Sequence, residues 1–150
     1  MGVAYGPVDY SEVESRVKKG TSPLFDFLLK TNWLVKRHGV VLSPTSGTYD
    51  AQRVANPCVI RDVDKYRLYY TAYDGSLWRI AEATSPDGVT WTKKGVIVDA
   101  ATVASALGLD LDEAYHPWVV KWKGKYYMFC VVRKTNGPIY IVCGESTDGD

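Results

Sequence analysis

The sequence predicts an all-β chain made of two consecutive β-propeller blades. Three observations carry this. First, Asn56-Pro57-Cys58-Val59-Ile60 returns sixty residues later as His116-Pro117-Trp118-Val119-Val120. Second, Lys65-Tyr66-Arg67-Leu68-Tyr69-Tyr70 returns at the same offset as Lys125-Tyr126-Tyr127-Met128-Phe129-Cys130. Third, Ser85-Pro86-Asp87-Gly88 is matched by Ser146-Thr147-Asp148-Gly149. A repeat of this length, rich in short strand patterns, is the sequence signature of propeller blades. A single β-sandwich does not explain the repeat.

Each unit reads as short strands in a fixed order. The first strand is the apolar run after Pro57 or Pro117, followed by a turn at Asp62-Val63-Asp64 or Lys123-Gly124. The second, Tyr66 to Tyr73 and Tyr126 to Arg133, is aromatic and β-branched, a composition that suits a packed pleated surface. The third runs from Leu77 to Thr84 and from Ile139 to Glu145. The Ser-x-Asp-Gly turn then leads to a fourth strand, Trp91 to Val98, because Asp and Gly suit tight turns. The second unit ends at Asp150 and lacks this fourth strand.

The remaining segments are read as follows. Residues 1–31 form an N-terminal extension, with a short helix expected over Asp9 to Lys19 between an Asp9 or Ser11 cap and a Gly20 stop. Residues 32–150 form the incomplete propeller, with blade one at about 50–99 and blade two at about 112–150. Trp33 to Leu42 resembles Trp91 to Val98 and is expected to be the outer strand of a preceding blade. A short helix is expected over Thr102 to Leu107. Two blades do not close a ring, so the sequence predicts either a piece of a longer protein or self-association through open blade edges.

Composition narrows the function classes. The formal charge is +1, with no run of like charges, so no nucleic-acid partner is expected. Cys58, Cys130 and Cys143 are odd in number and lack CxxC spacing, which argues against a disulfide framework or structural zinc site. Two His residues make a zinc centre improbable, and no cofactor or metal is expected. The start, MGVAYGPVDY, lacks the features of a signal peptide, and no apolar stretch is long enough for a membrane span. A cytoplasmic location is the default expectation, with no membrane partner.

Propeller geometry sorts the polar residues between two faces. The loop entering the first strand of a blade, and the loop between its second and third strands, open on the channel mouth. That face is expected to hold Asp50, Arg53, Asn56, Tyr73, Asp74, Asp112, Glu113, His116 and Arg133. Asp62, Asp64, Asp87 and Asp148 fall on the opposite face.

Asn56-Pro-Cys-Val-Ile, Tyr66-Arg-Leu-Tyr-Tyr-Thr-Ala and Ile80-Ala-Glu-Ala-Thr-Ser-Pro-Asp-Gly-Val-Thr-Trp91 together resemble the five-bladed propeller glycoside-hydrolase clan. That clan includes arabinanase/xylosidase-like, fructosidase (invertase-like) and mannoside-phosphorylase-like proteins. The resemblance covers about residues 32–150 and implies a partial five-bladed β-propeller with a carbohydrate partner. It also implies carboxylates at the mouth. One group acts as base or nucleophile, one orients, and a general-acid Glu comes from a third blade, because glycosidic cleavage needs one ionised and one protonated carboxyl group. The chain departs from this pattern at two positions. Asn56 stands where the fructosidase type has Asp, and Tyr115-His116-Pro117 stands for Arg-Asp-Pro.

Asp50, Asp112 and Glu113 are the remaining candidate catalytic carboxylates. A solvated loop Asp and a polar turn are their plainer readings. Candidate sugar-binding residues are Arg53, Asn56, Tyr73, Asp74, His116, Trp118 and Arg133. His116 either holds a hydroxyl or tunes a neighbouring acid, or only stabilises a turn. Trp118 and Trp122 share one strand face, as a stacking platform or as blade-to-blade core, and Tyr69, Tyr70, Trp78 and Trp91 are expected in the core. Three functions follow: a glycoside hydrolase, a non-catalytic carbohydrate-binding or interaction propeller, and a fragment that assembles from copies.

Overall fold

The computed structural model describes residues 39–150, in which a compact unit spans Val41–Asp150. The expected N-terminal helix and most of the expected outer strand at Trp33 to Leu42 lie outside the described residues. Seven strands and one helix follow in order: β1 (Arg53–Arg61), β2 (Tyr66–Tyr73), β3 (Trp78–Ser85), β4 (Thr92–Val98), α1 (Ala100–Leu107), β5 (Glu113–Trp122), β6 (Lys125–Arg133) and β7 (Ile139–Ser146). They form a four-stranded antiparallel meander, β1-β2-β3-β4, and a three-stranded one, β5-β6-β7. This is the expected pair of blades, the second without a fourth strand.

The repeat in sequence is a repeat in shape. Both first strands begin earlier than their apolar runs, at Arg53 and Glu113, and pass through a bulge. Register shifts occur between Ala55 and Cys58, and between Tyr115 and Trp118. At the two bulges Asn56 and His116 take left-handed backbone, φ 49° and 55°. Asn and His tolerate that region better than most residues, and a bulge re-aims side chains at a strand end. The Ser-x-Asp-Gly turns also match. Gly88 N and Gly149 N each donate to the Oγ of the serine three residues before, at 2.9 Å in both turns. At Gly149 (φ 87°) a Cβ would meet the Tyr69 hydroxyl at 3.0 Å, so only glycine lets this turn close on blade one.

Burial follows the pairing. In β2, six consecutive residues from Arg67 to Ala72 are buried, because both faces of this strand are covered. One face packs Leu68, Tyr70 and Ala72 with Ala81 and Ala83 beneath Leu42, Tyr49 and Trp91. The other face meets blade two, where Tyr69 packs on Val119 and Tyr126. Ile80 packs with Ala114, Cys130 and Val132, and with Ala100 of α1. Helix α1 seals this seam. Its N-cap Asp99 accepts from Thr102 N at 2.8 Å, as a capping aspartate should. Burial pushes the Cys130 thiol up to about 11, the behaviour of a packed small hydrophobe.

Away from the mouth, Arg67 ties the blades together. It donates to Asp62 at 3.0 Å, Glu82 at 2.8 Å and the carbonyl of Asp148 at 2.7 Å, and it pairs with Asp150. Lys121 Nζ and Tyr126 Oη of blade two also donate to Asp62, both at 2.7 Å. Asp62 and Asp148 thus serve the blade junction at the end opposite the mouth.

Candidate functional site

At the other end of the seam the two bulged strand starts diverge and leave a cleft of about 290 Å³. It is lined by Arg53, Ala55, Asn56, Thr71, Trp78, Glu113, Tyr115, His116 and Arg133. The His116 backbone N–H donates to Thr71 Oγ1 at 2.9 Å, which pins the second bulge to blade one and fixes the distance between the cleft walls.

The floor is aromatic. Tyr73 and Trp78, register partners on β2 and β3, stack with centroids 4.2 Å apart and planes 18° apart. Trp78 reaches Tyr115 across the seam at 6.3 Å, and Tyr115 meets the His116 ring edge-on at 4.8 Å. Such rows present flat apolar faces at low entropic penalty. The Arg53 guanidinium carbon lies 5.5 Å and 5.7 Å from the Tyr73 and Trp78 ring centres.

Among the described residues one carboxylate lines the cleft. Glu113 and Arg133 are register partners, and Arg133 donates Nε to Oε2 and Nη2 to Oε1, the latter at 3.1 Å. Among the described residues no group of three His, Cys, Asp or Glu side chains is placed to hold a metal ion.

Of the residues the sequence singles out, Arg53, Asn56, Glu113, His116 and Arg133 therefore come together, with Tyr73 behind Trp78. The others stand elsewhere. Asp50 is fully buried behind blade one, accepting from Thr45 N at 3.1 Å, Thr48 Oγ1 at 2.8 Å and Tyr70 Oη at 3.1 Å, and pairing with Lys93. Burial alone would raise its pKa, but the hydrogen bonds from Lys93, Thr48 and Thr45 outweigh it and hold the carboxyl below its ordinary value. All its lone pairs face protein and none faces the cleft. Asp112 turns away, accepting from Thr135 N at 2.8 Å. Asp74 closes its own loop through Leu77 N (2.9 Å), Arg79 (2.7 Å) and Ser76 N (2.8 Å), which together hold its carboxyl well below the usual range. Trp118 does not line the cleft and is 68% exposed.

Trp78 is the main residue that sequence reasoning misplaces. Its apolar character points to the core, yet the structure sets it in the cleft. The available signal is its position, first on the third strand and opposite Tyr73, which puts it at the mouth end of the blade.

No family model matches the chain. Two Mycobacterium tuberculosis proteins, Uncharacterized protein MT1551 and Uncharacterized protein Rv1502, are 37% and 36% identical to it over 84 residues, 56% of this chain. The chain matches only 27% of the length of either relative. Solved structures share its fold. A glycosyl hydrolase from Bacteroides ovatus superposes with a TM-score of 0.63 at 18% identity, over 77% of this chain and 39% of that one. A structure from the GH130 family of mannoside phosphorylases, said to contain hydrolases of β-1,2 mannosidic linkages, gives 0.60 at 16% identity, over 77% and 40%. A thermostable family-43 glycoside hydrolase gives 0.53 at 24% identity, over 70% and 32%.

Proposed function

We propose that the interblade cleft binds a carbohydrate and that Glu113 is the carboxylate this chain contributes to chemistry at a glycosidic bond. The observation that supports this reading is the convergence of Trp78 and Tyr115 with Arg53, Asn56, His116, Glu113 and Arg133 in one cleft. Sugars present apolar C–H faces beside hydroxyl edges. A stacked aromatic floor ringed by side-chain donors and one carboxylate answers both. Hydrolysis needs a second carboxyl group across the anomeric carbon, and a further blade would supply it.

A second reading is a binding cleft without catalysis. It is favoured by the way Arg133 engages both Glu113 oxygens, which fixes that carboxylate as a hydrogen-bonding element. One titration addresses both. Trp fluorescence is followed as arabino-, xylo-, fructo- and manno-oligosaccharides are added, and release from the matching aryl glycosides is assayed with Glu113→Gln as control. Turnover lost in Glu113→Gln supports the hydrolase. Saturable binding without turnover supports the binding cleft. Absence of both would sink the carbohydrate reading.

A further inference from the structure

The charges lining the cleft do not balance. Three of the described arginines end on carboxylates: Arg67 on Glu82, Arg79 on Asp74 and Arg133 on Glu113. The side chain of Arg53 meets no carboxylate and donates no hydrogen bond among the described residues. It is exposed, and the rings of Tyr73 and Trp78 lie against it. Glu113, the carboxylate of the cleft, is already neutralised by Arg133. Among the described residues the lining therefore keeps one uncompensated positive charge, with the His116 ring and the Asn56 amide nearby as further polar groups.

We infer that the cleft selects a carbohydrate carrying a negatively charged group, and that this group docks on Arg53. The inference rests on the carbohydrate reading above and adds the class of sugar. The guanidinium carbon lies within cation–π distance of both ring centres, 5.5 Å and 5.7 Å, which holds the charge beside the rings and leaves its planar N–H fork for a ligand. That fork matches a carboxylate or a phosphate two bonds at a time, and such charge-assisted pairs are about twice as strong as bonds to a neutral hydroxyl. A sugar of this kind would set its ring on Trp78 and Tyr115 and its acidic substituent on Arg53, leaving Glu113 and His116 for hydroxyls. A uronate carboxylate and a phosphate monoester share this chemistry.

The test compares isosteres on the full chain. Methyl glucoside, methyl glucuronide and glucose 6-phosphate are titrated at low and at physiological salt, with unaltered protein, Arg53→Gln and Arg53→Lys. The expected result is that an anionic ligand binds about tenfold more tightly than the neutral one at low salt. The preference should shrink as salt is added and vanish in Arg53→Gln. Arg53→Lys, which retains charge without the fork, should keep part of it. A preference for the glucuronide or for the phosphate identifies the source of the charge. Equal binding of neutral and anionic sugars would overturn the inference and leave the carbohydrate reading standing. Binding of none would overturn both. The salt dependence of the unaltered protein decides the matter even if the variants do not fold.

Discussion

Glu113 and Arg133 lie directly opposite each other on β5 and β6, and their side chains close a two-point ion pair at the lip of the cleft. The pair joins the first residue of one strand to the last of its neighbour, so it clamps the blade end at which the bulged strand enters. Its stability contribution is modest, because both groups touch solvent. Its importance lies in aiming Glu113. Replacing Arg133 by Lys keeps a cation but removes the fork. We expect Arg133→Lys to lower stability by less than about 1 kcal/mol while weakening sugar binding about tenfold. Chemical denaturation and ligand titration on the same samples check this. A loss of stability with intact binding would remove the pair from the site.

Arg67 is the opposite case. Its side chain and that of Glu82 are nearly dry, with 7% and 3% exposure. Burial alone would make its charge less favourable, but Asp150, Asp62 and Glu82 more than offset this and raise its pKa. Arg67→Met would leave Glu82 without its cation inside the blade junction, while Asp62 keeps Lys121. We expect a loss of about 3 kcal/mol, the usual result of orphaning a buried charge, read from urea denaturation. Arg67→Met combined with Glu82→Gln should recover part of that loss. A strictly additive double variant would show that the two side chains are not coupled.

Much of this architecture is legible in the sequence for definable reasons. The sixty-residue repeat and the Tyr-rich second strands report the blades directly. The Ser85 and Ser146 turns are local chemistry, whereas the helix expected over Thr102 to Leu107 begins two residues earlier, at Ala100, behind the Asp99 cap. The site is less legible. Asp50 stands before Arg53 in a loop that reads as open, but its neighbours in space are Tyr70 and Lys93, twenty and more residues away. Asp112 and Glu113 are adjacent in sequence, yet only Glu113, the first residue of β5, is engaged by Arg133, while Asp112 just before the strand accepts from Thr135 N. Trp118 could be assigned to either role from alternation alone, because alternation gives a shared face and not what covers it. In the structure it stands with Phe129 and Ile141 among the exposed residues of blade two.

Acid should loosen the junction through Asp62. Hydrogen bonds from Lys121 and Tyr126, helped by Arg67 and opposed by burial, hold its carboxyl well below the ordinary 3.8. A group with a depressed folded pKa stabilises fully above its unfolded value, and the contribution disappears as pH falls through the folded one. Stability should thus be level near neutrality and decline below about pH 4. Glu82 has the opposite sign. Burial, its largest influence, outweighs Arg67 and raises its pKa, so its contribution is full below its ordinary 4.5 and fades as pH rises towards the folded value. Urea midpoints between pH 7 and pH 2.5 should fall less steeply for Asp62→Asn than for the unaltered protein. Parallel curves would show that Asp62 does not carry the acid limb.

The matched bulges provide the last prediction. Asn56 and His116 hold left-handed backbone at the entrance of each first strand, directly before proline. A β-branched residue meets its worst steric clash in that region, whereas glycine meets none. Asn56→Val should therefore lower stability by about 1–2 kcal/mol, while Asn56→Gly should stay within a few tenths of a kcal/mol. The same pair at His116 should behave alike in stability. The two positions should separate in binding, because His116 presents its ring beside Tyr115 and is fixed to Thr71 through its backbone N–H, which His116→Gly retains. His116→Gly is thus expected to fold normally and to bind sugar more weakly. Equal stability of the valine and glycine variants at either site would mean that the bulge relaxes to ordinary extended strand, and that the cleft walls are not set by it.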